Sequence, residues 1–478
     1  MTPGADRVIA PIVWAAAFAF LWSFDPLSRP LVLDPATWDY MSVALGDGVI
    51  PYRDIFLHKT PGAIFVGALG ARVATWVGAA PVAGAHLANI VMAAAGPALL
   101  YLLCRRRMTV LPALAAAAFM LAADQWAVAA VEGVRPKVAT TVFGLGALLA
   151  ATHGRAVVAG LLGAAATLCW QPGVAFLAGA CWELRAGGVR ALARSAAGAA
   201  LPVLALGAWL ASVGALGDFV DQAIVFNGHY IRIHARTPVD TVAHLVAQLV
   251  SWNRVEMILL PLAVAGLVRD CSRLGGGLAV TALVYLALVF VSFQAWPDTI
   301  LFAPLLAAVL VAGLPALARG MMPERFAHVV VLAIALAAVA TPHSKRLRPP
   351  IDFATQAAAF DALAAGVADD ADVLVISLPE FLVHTDRHSR WTWPYMWFGV
   401  DRHASARSEG GFEGLLSELD AEPPALMLVA RRWRGPLRQQ FEAWARSRYT
   451  REQVWIYPHT VRPINVYRPI EAESRNYP

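Results

Sequence analysis

LDPATWDYMSVALGDGVIPYRDIFLHKTP, residues 33–61, runs between two apolar segments and is too long and too charged for a plain connector. It gathers Asp34, Asp39, Asp47, Arg53, Asp54, His58 and Lys59, whereas a turn between two membrane helices needs only a few residues. A loop of that length, with both charge signs beside a bilayer, is placed to do chemistry at the membrane face.

The flanks set the class. The chain is 58% hydrophobic and only 15% charged, well away from soluble averages. Apolar runs recur from Val8 to Ala340, which predicts a polytopic α-helical membrane protein. Arg7 precedes the first run, but no small-residue cleavage site follows it, so 8–24 reads as a retained helix. Arginine clusters at 105–107, 155, 185–194, 269–273 and 319–326 mark short cytoplasmic loops. Spans are then expected at 8–24, 84–103, 109–127, 138–152, 156–169, 174–184, 196–215, 255–268, 276–293, 299–316 and 327–341. These roughly eleven crossings put the N-terminus inside, and put 33–61, 132–137, 170–173, 218–253, 294–298 and the C-terminus outside. Residues 62–78 are apolar but would reverse the arginine pattern, so they read as re-entrant or tilted. The net charge of +5 follows from these loops and speaks to topology, not to nucleic acid. Cys104, Cys169, Cys181 and Cys271 lie in or beside spans, with no disulfide or metal spacing.

Beyond 341 the character changes. Residues 342–350 form a polar, proline-ended linker, and 351–478 read as a small soluble α/β domain after the membrane module of 1–341. Strands are expected at 372–377 and 425–430, a helix at 436–446, and a terminal hairpin over 454–468.

Within the first outer loop, 25–61, residues 35–45 predict a helix lying in the membrane plane, with Trp38, Met41 and Leu45 facing the bilayer. Asp34 would cap it, with its second oxygen free for substrate. Lysine occurs only as Lys59, Lys137 and Lys345 in a chain that otherwise uses arginine. Lys59 and Lys137 both fall on the outer face, where an ammonium suits phosphate or an anionic headgroup.

The run Gly48, Pro51, Tyr52, Arg53, Asp54, Phe56, His58, Lys59, Pro61, preceded by an acid after the first helix, resembles the GT-C glycosyltransferases. Within that superfamily the run is similar to bacterial protein-mannosyltransferase-like and aminoarabinose-transferase-like enzymes. The turns EGVRPK (132–137), WQPG (170–173) and QAWPD (294–298) extend the likeness. The resemblance implies a membrane enzyme that moves a sugar from a polyprenyl-phosphate donor to an extracytoplasmic acceptor hydroxyl, with inversion. The acceptor would be a lipid, polysaccharide or protein, and the location the bacterial inner (plasma) membrane. Asp34 would be the general base. Many relatives have Asp-Glu here, whereas this chain has Asp34-Pro35, so Asp39 is set beside Asp34 in that role. Lys59, His58, Arg135 and Lys137 would hold the lipid phosphate, and Arg53, Asp54, Gln171, His229, Tyr230 and Asp298 are further site residues. Members differ on metal dependence, and no ligand cluster here argues for a metal or other cofactor. The competing classes are a lipid-linked-sugar flippase, expected to carry charges inside its spans, and a non-catalytic scaffold.

Overall fold

Alanine, leucine and valine fill the first two thirds of the chain, and without water to bond the backbone such segments must satisfy it internally, as helices. The computed structural model describes residues 3–233, 235–341, 344–396, 399–430, 433–459 and 463–470. It opens with α1 (Pro3–Trp22), α2 (Leu33–Gly46) in the first loop, α3 (Gly62–Trp76) and α4 (Pro81–Arg105). Then come α5 (Val110–Ala122), α6 (Asp124–Val131), α7 (Pro136–Thr152), α8 (Ala156–Cys169), α9 (Val174–Leu184) and α10 (Gly188–Ser212). A helical stretch follows with α11 (Leu216–Val220), a π-turn at Asp221–Val225, α12 (Phe226–Ile233) and α13 (Pro238–Trp252). The apolar part closes with α14 (Arg254–Arg269), α15 (Gly276–Val291), α16 (Phe302–Leu317) and α17 (Glu324–Val339).

Among the described residues, four helices are long and apolar enough to cross a membrane, or six if each sharply bent pair counts as one span. The bent pairs are α5–α6, at 63°, and α13–α14, at 117°. The expected span 109–127 is therefore a broken helix, interrupted where Ala123 turns extended (φ −65°, ψ 107°) ahead of Asp124. The expected outer segment 218–253 is largely helical, because its apolar positions recur on one helical face. Glycine pairs let helices meet backbone to backbone: Gly70 against Gly84 where α3 crosses α4, and Gly266 against Gly313 where α14 crosses α16.

The C-terminal part holds α18 (Phe353–Ala364), β1 (Val373–Ile376), α19 (Pro379–Thr385), α20 (Val400–Arg407), α21 (Gly411–Ala421), β2 (Leu426–Ala430), α22 (Pro436–Arg446), β3 (Tyr449–Val454) and β4 (Ile464–Pro469). The sheet order is β1-β2-β4-β3, with β1 and β2 parallel and the other pairings antiparallel. Two strands and a helix fall where the apolar runs predict them. The hairpin instead begins at Tyr449, because Thr450–Gln453 form an exposed edge strand with no apolar alternation to betray it. Residues 342–343 of the expected linker, 460–462 of the hairpin loop and the last eight residues (471–478) lie outside the described set.

α2 corrects another expectation. Trp38, Tyr40, Met41 and Ala44 are 1–5% exposed, so its apolar face rests on protein and not on the bilayer. Its cover comes largely from α19 and the helices α3 and α4. The C-terminal unit is stapled to the first loop by Gln356, whose amide receives Leu31 N–H at 2.7 Å and donates to Leu31 C=O at 3.0 Å and Tyr457 C=O at 2.7 Å. Phe353 N–H donates to Ser28 C=O at 2.8 Å, and Phe56 N–H to Thr392 C=O at 2.8 Å.

Gln356→Leu keeps the volume but strands the buried N–H and C=O of Leu31. An unpaired buried polar group costs about 1–3 kcal/mol, so we expect a drop of several degrees in apparent Tm in detergent. Faster proteolysis within residues 344–352 should accompany it. An unchanged melt would show that the staple does not hold the two parts together.

Candidate functional site

The first loop folds back on itself so that Asp34 and Lys59 share one cleft. α2 begins after Val32, whose extended backbone (φ −124°, ψ 130°) serves as N-cap without a side-chain bond. Asp34 therefore sits inside the first turn and caps nothing. The expected capping role is replaced by an ion pair with Arg135. At the other end of the loop, Tyr52 adopts a left-handed backbone (φ 73°) although fully buried, a costly conformation for a bulky residue. Its hydroxyl donates to Lys59 C=O at 2.9 Å and its own C=O accepts from Gln222 at 2.7 Å, so the strained turn fixes where Lys59 emerges.

Arg135 is 3% exposed and forks between two acids, Asp34 and Glu132, the latter at 2.8 Å. Its backbone N–H is received by Asn89 at 3.2 Å, and the Asn89 amide donates to Ala129 and Ala130 at the end of α6. Lys137, at the start of α7, pairs with Asp298 at 2.8 Å. Each cation also faces an indole: Lys59 over Trp38 at 4.9 Å, Lys137 over Trp170 at 4.6 Å and Arg135 over Trp296 at 5.2 Å. The side chain of Asp34 keeps half its surface accessible while its partner Arg135 is buried, so the carboxylate lines an open cleft.

The electrostatics follow from this crowding. Burial alone pushes the Asp34 carboxyl up, but Arg135, Lys59 and Lys137 outweigh it and hold it well below the ordinary carboxylate range. Burial and the neighbouring Lys137 pull the Lys59 ammonium down to about 8, against the opposing effect of Asp34 and Asp298. Burial and Lys59 push His58 down to about 3, so its ring is neutral at pH 7. His58 bonds through Nδ1 to Tyr395 of the C-terminal unit and lies 5.5 Å from the Tyr230 ring.

The sequence-predicted residues thus divide. Asp34, Lys59, Arg135, Lys137, Asp298, His58 and Tyr230 come together. Gln171 stands behind them, donating to His58 C=O at 3.4 Å. Asp39 has a different setting from the one expected: it is fully buried, accepts Val134 N–H at 2.8 Å and faces His86 at 3.1 Å. Gly133 (φ +123°) lies so close to that carboxylate that a Cβ would strike it, so Asp39 anchors the 132–137 turn to α2. Arg53 and Asp54 pair with each other at 2.7 Å on the exposed side of the loop, and His229 is solvent-exposed. The sequence reading missed Trp38, Trp296, Tyr395 and Arg346. Tryptophan in a membrane chain reads as an interface anchor, and Tyr395 and Arg346 lie hundreds of residues from the loop they meet. Among the described residues no three His, Cys, Asp or Glu side chains are grouped to hold a metal ion.

The chain is similar in structure to ArnT from Cupriavidus metallidurans in the apo state, with TM-score 0.60 and 13% identity over 97% of this chain and 98% of that one. The same protein bound to undecaprenyl phosphate gives TM-score 0.57 and 14% identity over 97% of each chain. The Archaeoglobus fulgidus oligosaccharyltransferase gives TM-score 0.49 and 11% identity over 95% of this chain and 72% of that one. No family model matches the chain, and no curated protein matches it in sequence.

With only three lysines in the chain, carbon-13 labelling of lysine allows Lys59 to be titrated directly by NMR. Lys59 should be half-protonated near pH 8. Lys137→Met removes a like charge and should raise that value; Asp34→Asn removes an opposite charge and should lower it. An ordinary lysine titration in all three proteins would mean the cleft does not enclose Lys59.

Proposed function

We propose, on the premise of the GT-C glycosyltransferase fold that the chain shares with ArnT, that this protein is a multi-pass membrane glycosyltransferase. It takes a sugar from a polyprenyl-phosphate donor at the extracytoplasmic face of the bacterial inner membrane. The observation that carries the reading is the convergence of Arg135, Lys59 and Lys137 on the carboxylate of Asp34. Cations alone would suit any anion. Cations around a carboxylate in an open cleft suit a reaction in which a phosphate departs while a proton is removed beside it.

The chemistry follows from the charges. The donor phosphate enters against Lys59, Arg135 and Lys137, which stabilise the negative charge that grows as the bond from the sugar carbon to phosphate oxygen breaks. Phosphate is a stable leaving group, so no strong general acid is required. Before the donor arrives, Asp34 is a poor base, because its cationic neighbours favour the carboxylate so strongly. The donor's negative charge offsets those cations, and the proton affinity of Asp34 rises. Asp34 then receives the proton of the acceptor hydroxyl as that oxygen attacks the sugar carbon from the face opposite the phosphate. One displacement of this kind inverts the anomeric centre. In this reading Asp34 acts alone, since Asp39 is shut away beneath the turn. The module of 1–341 holds the lipid, and the unit of 351–478 covers the cleft from outside through Tyr395. The acceptor is a hydroxyl on a lipid, polysaccharide or protein.

The test is consumption of radiolabelled polyprenyl-phosphate sugars by the purified protein with a membrane acceptor fraction. Asp34→Asn should lower turnover by about 10²–10⁴-fold, the usual contribution of a general base, while donor binding persists. If no sugar in the panel is consumed, or if Asp34→Asn turns over at the wild-type rate, the reading is wrong.

A further inference from the structure

Arg346 belongs to the connector between α17 and the C-terminal unit, yet its side chain reaches Trp296 and Glu132, both of which contact Arg135. Its guanidinium stands 5.1 Å from the centre of the Trp296 ring, the ring that Arg135 faces at 5.2 Å. Trp252, stacked on Trp296 at 4.3 Å, lies 5.8 Å from the same guanidinium. One Arg346 nitrogen approaches Glu132 at 3.6 Å, longer than a hydrogen bond, while Glu132 is already bonded to Arg135 at 2.8 Å.

The side chain is not what pins the connector. That is done through the backbone by Arg29, a buried residue whose guanidinium donates to Arg346 C=O and, at 3.0 Å, to Leu347 C=O. The Arg346 side chain is left 43% exposed, with its fork of donors incompletely used. Two guanidiniums are thus brought onto one indole and one carboxylate, an arrangement that repels itself unless further negative charge arrives.

The charge count points the same way. Lys59, Arg135 and Lys137 are balanced by Asp34, Glu132 and Asp298, three against three. His58 is neutral, and Asp39 faces His86 away from the cleft. Arg346 adds a further cation to these three pairs, sharing Glu132 with Arg135, and the buried Arg29 also acts on Glu132.

We propose that Arg346 is a donor-phosphate ligand, supplied to the membrane-embedded cleft by the connector to the C-terminal unit. This rests on the glycosyltransferase reading above. A guanidinium offers two parallel donors to a phosphate, and the weak contact with Glu132 is exchanged for them when the lipid enters. The connector then completes the donor site, its path set by Arg29 of the first loop.

The experiment uses the full chain in zwitterionic nanodiscs, titrated with undecaprenyl phosphate and with undecaprenol, binding being read by tryptophan fluorescence. Arg346→Met should weaken undecaprenyl phosphate by about 10–100-fold, the range of a charge-assisted bond, and leave undecaprenol unchanged. Arg346→Lys should lie between. If the wild-type chain prefers the phosphate, Lys59→Met loses that preference and Arg346→Met keeps it, the inference is overturned and the glycosyltransferase reading stands. If the wild-type chain does not distinguish phosphate from alcohol, both fail. Should Arg346→Met not fold, Arg346→Lys decides: it retains the pairing with Glu132 and loses the fork, so wild-type affinity in that variant overturns the proposal.

Discussion

A buried guanidinium cannot be left with its charge unanswered, and at Arg135 that requirement organises the whole cleft. Two carboxylates answer it, Asp34 from α2 and Glu132 from the turn after α6. Between them they fix the first loop against the second. The turn is held in place by three further contacts: Asn89 on the Arg135 backbone, Asp39 on Val134, and the close fit of Gly133 against Asp39. The break in the helix at Ala123 lets the chain approach this turn at an angle, which a straight span through 109–127 would not allow.

The tryptophans do related work. A cation over an indole keeps an apolar neighbour on one side and its donors on the other, so Lys59, Lys137 and Arg135 are aimed without being spent on neutral hydrogen-bond acceptors. Lys137 also meets Asp298, and Asp298 is held in its short helical turn by accepting Gln294 N–H at 2.8 Å. In the proposed reaction, aromatic walls of this kind lower the water content around the leaving phosphate, where fixed charges act most strongly.

What the sequence made legible was whatever reports itself locally. Lysine scarcity singled out Lys59 and Lys137; the position of Asp34 after the first span, and the EGVRPK turn, supplied its partners. Apolar runs located β1 and β2. What stayed hidden was contact between distant segments. The face of α2 bearing Trp38 and Met41 is apolar whether it lies on lipid or on α19, and periodicity cannot tell these surroundings apart. Asp34 carries the signature of a cap, yet the helix starts at Leu33, two residues earlier than expected, and Arg135 claims the carboxylate. Asp39 shares the loop with Asp34, and only the structure shows it turned toward His86. Arg346 sits in a basic, proline-ended run that reads as spacer, and nothing nearby announces that Arg29 holds it where its side chain reaches Trp296 and Glu132.

The Gln356 staple has a consequence for how the protein is made. Leu31 meets the amide of Gln356, which lies 325 residues further along the chain. At ~5–20 residues per second, synthesis of that intervening stretch takes roughly 15–65 s. Throughout that time the first loop lacks this cover. The half-made chain therefore carries Asp34 without Tyr395 or Arg346 nearby. Closure comes late: the last-made part of the chain is what covers the first.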